Sequence, residues 1–212
     1  MDPSFWHQKW ESGDIAFHEG RPNSFLVEHF AKLNLRQGSR VFLPLCGKTC
    51  DVSWLLAQGY QVVGAELSQL AITQLFVDLQ IQPVVTELGE LYRYSAQGID
   101  ILVGDIFKVS AQQLGVVDAI YDRAALVALP AELRRSYTSH LLQITAAAPQ
   151  LLVSFEYDQL LIAGPPFSID ASLVSQYYGA VYQLEKLQSQ LVAGGLKGKV
   201  PATETVWMLQ AL

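Results

Sequence analysis

Short apolar runs along this chain are separated by stretches whose apolar residues recur every third or fourth position, as when strands alternate with helices. The clearest case lies between Arg40 and Ser68. The run Val41-Phe42-Leu43-Pro44-Leu45 leads into a turn, Cys46-Gly47-Lys48-Thr49-Cys50. A helix pattern starts at Asp51 and stops at Gly59, and a second run, Val62-Val63-Gly64-Ala65, ends on Glu66. This order predicts the first half of a doubly wound α/β domain, which binds ligands at the carboxyl ends of its strands. An acid roughly 20 residues past the first turn is placed to hold ribose hydroxyls, so the unit predicts a nucleoside cofactor.

The remaining pattern continues the alternation. Ser24 is expected to cap a helix carrying Phe25, Leu26, His29, Phe30 and Leu33, with His29 a packed core histidine. Ser68 is expected to cap another, running to about Leu79 with Leu70, Leu75, Phe76 and Leu79 inward. Residues 83–94 read as a short strand and part of a hairpin. Residues 99–103, 117–121 and 151–157 read as strands, the first closed by Gly104-Asp105 and the second by Asp122-Arg123. Pro130 suits a first helical turn, with helix to about Ala147. A Gly164-Pro165-Pro166-Phe167 loop, a short helix at 171–178 and an antiparallel pair at 181–192 and 203–212 complete the chain. There are no internal repeats, and a single domain over residues 1–212 is expected. Its opening segment, residues 1–23, is crowded with Phe5, Trp6, Trp10 and Phe17. Trp6 and Trp10, four apart, fall on one helical face. They predict an aromatic lid that either packs on the core or contacts a ligand.

Composition narrows the function. Of 212 residues, 50% are hydrophobic and 16% charged, which favours a sheet buried on both faces. The net charge of −6 and the lack of any Lys or Arg cluster argue against nucleic-acid binding. Cys46 and Cys50 lack the further Cys or His that a metal site needs, so two reduced thiols and no metal are expected. Without a secretory signal or an apolar run of membrane-spanning length, the expectation is a soluble cytoplasmic protein with no membrane contact.

The first turn has one glycine, Gly47, in place of the G-x-G-x-x-G that admits a pyrophosphate. S-adenosylmethionine carries no phosphate and needs no such cradle. It needs an acid for its ribose, which Glu66 offers. It also needs an apolar slot for adenine, which Gly104-Asp105-Ile106-Phe107 would form unless Ile106 and Phe107 are ordinary core residues. Arg123, directly after an apolar strand, requires an anionic partner once buried. That partner is Asp122 or a glutamate holding the strand end, or Arg123 stands between the cofactor and an anionic acceptor sulfur.

The segments 42–48, 63–68, 105–107 and 121–129 resemble those of thiopurine S-methyltransferases of the bacterial type. So do Trp6-x-x-x-Trp10 followed by Ala16-Phe17-His18, and the Gly164–Phe167 loop. The resemblance spans nearly the whole chain. It implies a class I S-adenosylmethionine-dependent fold: a doubly wound, mostly parallel seven-stranded sheet with an N-terminal helical lid. By position it implies cofactor contacts at Trp6, Trp10, Leu45, Glu66, Asp105, Ile106 and Arg123, a catalytic role for Arg123, and Phe17 facing the substrate. It further implies a monomer acting on a small-molecule thiol of thiopurine type, with selenium or tellurium compounds as acceptors by analogy. Thiols acidified by an aromatic heterocycle are substantially ionised near neutral pH, so a strong general base is dispensable. Family members often carry a second arginine near the C-terminal strands, whereas residues 196–207 of this chain offer only Lys197 and Lys199. Competing expectations are a non-catalytic nucleoside-cofactor binder and an NAD-dependent oxidoreductase. The latter lacks the glycine fingerprint.

Overall fold

In the computed structural model, which describes residues 3–15 and 18–212, every run expected to be a strand enters one mixed sheet. The elements are α1 (Pro3–Ser12), α2 (Ser24–His29), β1 (Arg40–Pro44), α3 (Asp51–Ala57), β2 (Gln61–Glu66) and α4 (Gln69–Asp78). Then come β3 (Val84–Leu88), β4 (Leu91–Ala96), β5 (Ile99–Val103), α5 (Ala111–Leu114), β6 (Ala119–Arg123) and α6 (Ala131–Thr145). The last are β7 (Gln150–Tyr157), α7 (Ala171–Tyr178), β8 (Tyr182–Leu191) and β9 (Ala202–Ala211). The strand order is β3-β4-β5-β2-β1-β6-β7-β9-β8. The seven expected strands run from β5 to β8 in that order, and the β3–β4 hairpin extends one edge to nine. Pairings from β5 through β7 are parallel, and β9 and β8 add antiparallel.

Both faces of the central strands are buried, as the low charge content predicts, while the edge strands β3 and β8 are largely exposed; strand alternation assigns each residue to a face. Phe42, Val63, Leu102, Ile120 and Leu152 point to the side covered by α5, α6 and α7, where Leu114, Tyr137, Leu141 and Tyr178 complete the core. Val41, Leu43, Val62, Ile101, Tyr121 and Leu151 point to the side covered by α2, α3 and α4, against Phe25, Leu26, Leu55, Ile72 and Phe76. Gly64 in β2 is required by close approach: a β-carbon there would stand 2.7 Å from Ile101 and 2.8 Å from the Cys46 sulfur.

The chain departs from expectation at several helix ends. Asn23, not Ser24, caps α2, its side-chain oxygen accepting the Phe25 N–H at 3.0 Å. Asn23 is held there because its own N–H donates to buried Asp51 at 2.7 Å. Ser68 caps α4 as expected, but Leu70 is exposed, and Ala71 and Ile72 turn inward instead. Leu75, Phe76 and Leu79 pack inward as expected, so only the start of the apolar stripe of α4 differs. Pro130 occupies the N-cap of α6 rather than its first turn. His29 is packed, as expected, on Phe25, and it shares a 2.7 Å hydrogen bond with Gln188 of β8.

Candidate functional site

The strand order reverses direction between β1 and β6, so the carboxyl ends of these two strands flank the crevice where doubly wound sheets bind ligands. The backbone is distorted at both ends. Leu45, just past β1, has φ 47°, and Ala124, just past β6, has φ 62°; each is a left-handed conformation that costs a residue with a β-carbon about 1–2 kcal/mol. Non-glycine residues hold such angles where the surroundings fix them, commonly at ligand sites.

The turn after β1 is closed by two groups from elsewhere in the chain. Glu66, at the end of β2, is 6% exposed. One of its oxygens accepts the Gly47 N–H at 2.8 Å and the other the Ser68 N–H at 2.8 Å. Burial raises its pKa, while the backbone donors from Ser68 and Gly47 pull it back. From above, the Trp10 indole of α1 lies 3.0 Å from where a β-carbon of Gly47 would be. Trp10 is buried there. Trp6, one turn earlier, is half-buried, with Phe5 edge-on at 5.2 Å. The expected lid helix therefore reaches the first turn through Trp10.

At the end of β5, exposed Asp105 accepts the Phe107 N–H at 3.0 Å. Ile106 is buried in the core, and its carbonyl is held by the His140 ring at 2.9 Å. Beside these residues a cleft of about 410 Å³ opens between the ends of β2 and β5, lined by Leu67, Ser68, Val103 and Gly104, with His7 and Glu11 of α1 above.

The end of β6 resolves the partner of Arg123. Adjacent strand residues point to opposite faces, so Asp122 and Arg123 cannot pair. Asp122 turns toward α6, is fully buried, and accepts the Tyr137 hydroxyl at 2.7 Å and the Leu126 N–H at 3.0 Å. Burial raises its pKa to about 6. Arg123 turns the other way and forms a charge-assisted hydrogen bond with Glu19 of the N-terminal segment. Its side chain is 10% exposed, against 39% for Glu19. On the same face, Tyr121 is buried, and its hydroxyl makes no hydrogen bond of good geometry among the described residues, although the nearby Asp51 carboxylate acts on it. Asp51, 1% exposed, accepts from Asn23 N–H and from the Thr49 hydroxyl at 2.9 Å, and burial raises its pKa. A second cleft, about 590 Å³, is lined by Glu19, Arg21, Asn23, Ser24, Gln190 and Glu204.

The structure thus brings Trp10, Leu45, Gly47 and Glu66 together around the first turn, and sets Arg123 on the neighbouring strand tip. Asp105 and Ile106 sit one strand further out. Phe17 lies outside the described residues. Sequence reasoning missed Glu19, Asp51, Tyr121 and Glu204. The one signal for Glu19 was the demand of Arg123 for an anion, and a partner 104 positions away leaves no local spacing to find. Lys197 and Lys199 are both exposed on the β8–β9 connection.

This set of groups fits S-adenosylmethionine. The carboxylates of Glu19, Asp51, Glu66 and Glu204 outnumber the Arg123 cation, which suits a sulfonium, and the Trp10 indole adds a cation-attracting face. Among the described residues no group of three or more His, Cys, Asp or Glu is arranged to hold a metal, and no helix is long and apolar enough to cross a membrane. Cys46 and Cys50 are free thiols, the former buried.

Comparison with known proteins places the chain. The family model described as "Thiopurine S-methyltransferase (TPMT)" matches residues 1–209. A thiopurine S-methyltransferase of Xanthobacter autotrophicus is 52% identical over 211 residues, covering 99% of both chains. One of Teredinibacter turnerae is 52% identical over 209 residues, covering 99% of this chain and 97% of its own. Among solved structures, the fold is similar to that of the Burkholderia thailandensis 1,6-didemethyltoxoflavin-N1-methyltransferase with bound S-adenosylhomocysteine. The TM-score is 0.65 at 14% identity, over 98% of this chain and 87% of that one. A TehB-like methyltransferase from Corynebacterium glutamicum gives a TM-score of 0.59 at 12% identity, over 99% and 98%. The chain belongs to the thiopurine S-methyltransferase family, and it is a thiol methyltransferase with S-adenosylmethionine as its cofactor.

Proposed function

We propose that this enzyme methylates the sulfur of aromatic or heterocyclic thiols, acting as a single-domain monomer whose residues 1–23 close over the reactants. The observation that carries the reading is Arg123: a nearly buried guanidinium at the tip of β6, across the switch point from Leu45, Gly47 and Glu66, answered by a carboxylate of the lid segment.

S-adenosylmethionine supplies a methyl group already activated on a sulfonium, so the protein's task is to align and desolvate. Trp6, Trp10, Leu45, Glu66, Asp105, Ile106 and Arg123 are the residues assigned to hold it, and Phe17 is assigned to the acceptor. Glu66 retains lone pairs beyond those used by Gly47 and Ser68, and these are free for ribose hydroxyls. Leu45, left-handed just past β1, is the residue whose carbonyl we assign to the cofactor's amino group. Arg123 stabilises negative charge on the acceptor sulfur and fixes its position. Such alignment supplies about 7–11 kcal/mol of a barrier. The apolar lid excludes water, which strengthens the Arg123 interaction.

The test is transfer of labelled methyl from S-adenosylmethionine to a panel of aryl thiols, selenols and tellurite. Label recovered in aryl thioethers supports the reading. Tight cofactor binding with no labelled product from any acceptor would leave a nucleoside-cofactor binder instead.

A further inference from the structure

We infer that the enzyme docks on anionic lipid surfaces through a rim built by the β7–α7 loop and the β8–β9 hairpin tip. Leu160, Leu161 and Leu191 enter the apolar boundary, and Lys197 and Lys199 meet the headgroups.

Two stretches far apart in sequence build this rim. Residues 159–169 carry no charge, and residues 191–203 carry only Lys197 and Lys199, in a chain with 20 acidic side chains. The sheet sets the two side by side: Tyr157 of β7 pairs with Ala202 of β9, and Leu191 of β8 pairs with Thr203. Ile162 from the first stretch and Val192 from the second pack on one small cluster, Tyr157, Leu196, Val200 and Ala202.

What remains outside is apolar. Leu160 is 94% exposed, Leu191 80% and Leu161 58%. Scattered exposed leucines are ordinary, but three on one acid-free rim mark an interaction surface. They are not there through slack in the chain. The Gln159 side chain donates to the Ile162 carbonyl at 2.7 Å and accepts the Ser168 N–H at 2.8 Å, so the turn carrying Leu160 and Leu161 is pinned from within. The hairpin tip is closed in the same manner. Leu196 N–H donates to the Val200 carbonyl at 2.8 Å, and Lys199 N–H donates to the Leu196 carbonyl at 3.0 Å. Leu196 and Val200 fold inward, while Lys197 and Lys199 stay in solvent.

Charge selects the occupant. Apolar groups flanked by lysines suit a lipid boundary, where the leucines leave water and the cations meet phosphates. A chain of net charge −6 is repelled by an anionic surface, and least so where its acids are missing, so the same rim fixes the orientation. Exposed Asp158 borders the rim, and Asp14, which feels Lys197, is already paired with Lys9. The rim lies at the carboxyl end of β7, one strand over from the tip of β6. A docked enzyme therefore holds its crevice within reach of apolar molecules dissolved in the lipid. The expectation of no membrane contact rested on a missing leader and on spanning length, and it does not reach a surface of this kind.

The test is co-sedimentation of the full chain with sucrose-loaded vesicles, either phosphatidylcholine alone or an equimolar mixture with phosphatidylglycerol. Wild type should pellet with the anionic vesicles and not with phosphatidylcholine, and added salt should release it. Lys197→Gln with Lys199→Gln should lower the partition coefficient roughly thirtyfold. Leu160→Ser with Leu161→Ser should lower it by on the order of tenfold. Val116→Ser, at a likewise exposed valine preceding β6, should leave it unchanged. Circular dichroism and S-adenosylhomocysteine affinity check that each variant is folded, and the lysine pair keeps the test decisive if the leucine variant is not. Absence of binding to anionic vesicles, equal binding to both kinds, or an undiminished partition in the lysine variant overturns the inference. So does a loss in Val116→Ser as large as in the leucine variant. A dimer in analytical ultracentrifugation that Leu160→Ser with Leu161→Ser dissolves would assign the rim to a second copy and overturn it equally.

Discussion

The carboxylate of Glu66 holds the backbone N–H of Gly47 at 2.8 Å, tying the tip of β2 to the turn that follows β1. The same side chain takes the Ser68 N–H, so one residue shapes both the turn and the entry to α4. Glu66→Ala leaves two buried donors unanswered, at about 1–3 kcal/mol each. The variant should lose that much stability in urea unfolding and bind S-adenosylhomocysteine more weakly in calorimetry. Glu66→Gln, which keeps an acceptor oxygen, should recover part of both. Unaltered affinity in the alanine variant would take ribose recognition away from Glu66.

Gly47→Ala tests the seat of the lid. Gly47 has φ 53°, and its missing β-carbon leaves room for Trp10 at 3.0 Å. Alanine adds a left-handed penalty of about 1 kcal/mol and displaces the indole. The expected result is a lower melting temperature together with faster proteolysis of the N-terminal segment. Unchanged proteolysis would mean that α1 is anchored by other contacts.

Asp122 makes stability depend on pH. Its folded pKa of about 6 lies above the ordinary 3.8, so the folded state binds this proton more tightly than the unfolded state. Its contribution therefore grows as pH falls from about 6 toward 4, and above about pH 6 the ionised form costs roughly 3 kcal/mol. Asp122→Asn should remove this slope, because the amide can still exchange hydrogen bonds with the Tyr137 hydroxyl. Unfolding midpoints at pH 5 and pH 7 measure it: wild type should gain on the variant at the lower pH. Parallel profiles would show that Asp122 is already accommodated as an anion.

Arg123→Ala should depress kcat/KM for aryl thiols by on the order of 100-fold, the scale for deleting a donor that meets developing charge. The sheet should survive, since Glu19 is left with access to water. Arg123→Lys keeps the charge without the planar fork and should recover only part of the loss. Turnover equal to wild type in the alanine variant would exclude Arg123 from the chemistry.

Much of this architecture was legible in short-range pattern. The unit from β1 to β2, the strands β5, β6 and β7, and α7 all follow from apolar runs broken by turn residues. The helix faces were less legible: in α4, Leu70 and Ile72 are equally apolar, and only the packed sheet decides that Ile72 is the buried one. Asn23 displaced Ser24 as a cap because Asp51, far along the chain, fixes its backbone. The same limit hid Glu19. Alternation along β6 did contain one unused clue, since it forbids an Arg123–Asp122 pair and sends the guanidinium toward the lid.

The left-handed residues Leu45 and Ala124 follow neighbouring parallel strands, and each bend is anchored by a ladder that cannot slide without breaking its partners' pairing. The two strand tips are accordingly rigid jaws, shaped during folding rather than during ligand capture. Any adjustment around bound molecules then falls to the N-terminal segment, which meets these tips through Trp10 and Glu19. Diversification within such a scaffold should accumulate in that segment and leave the jaws alone.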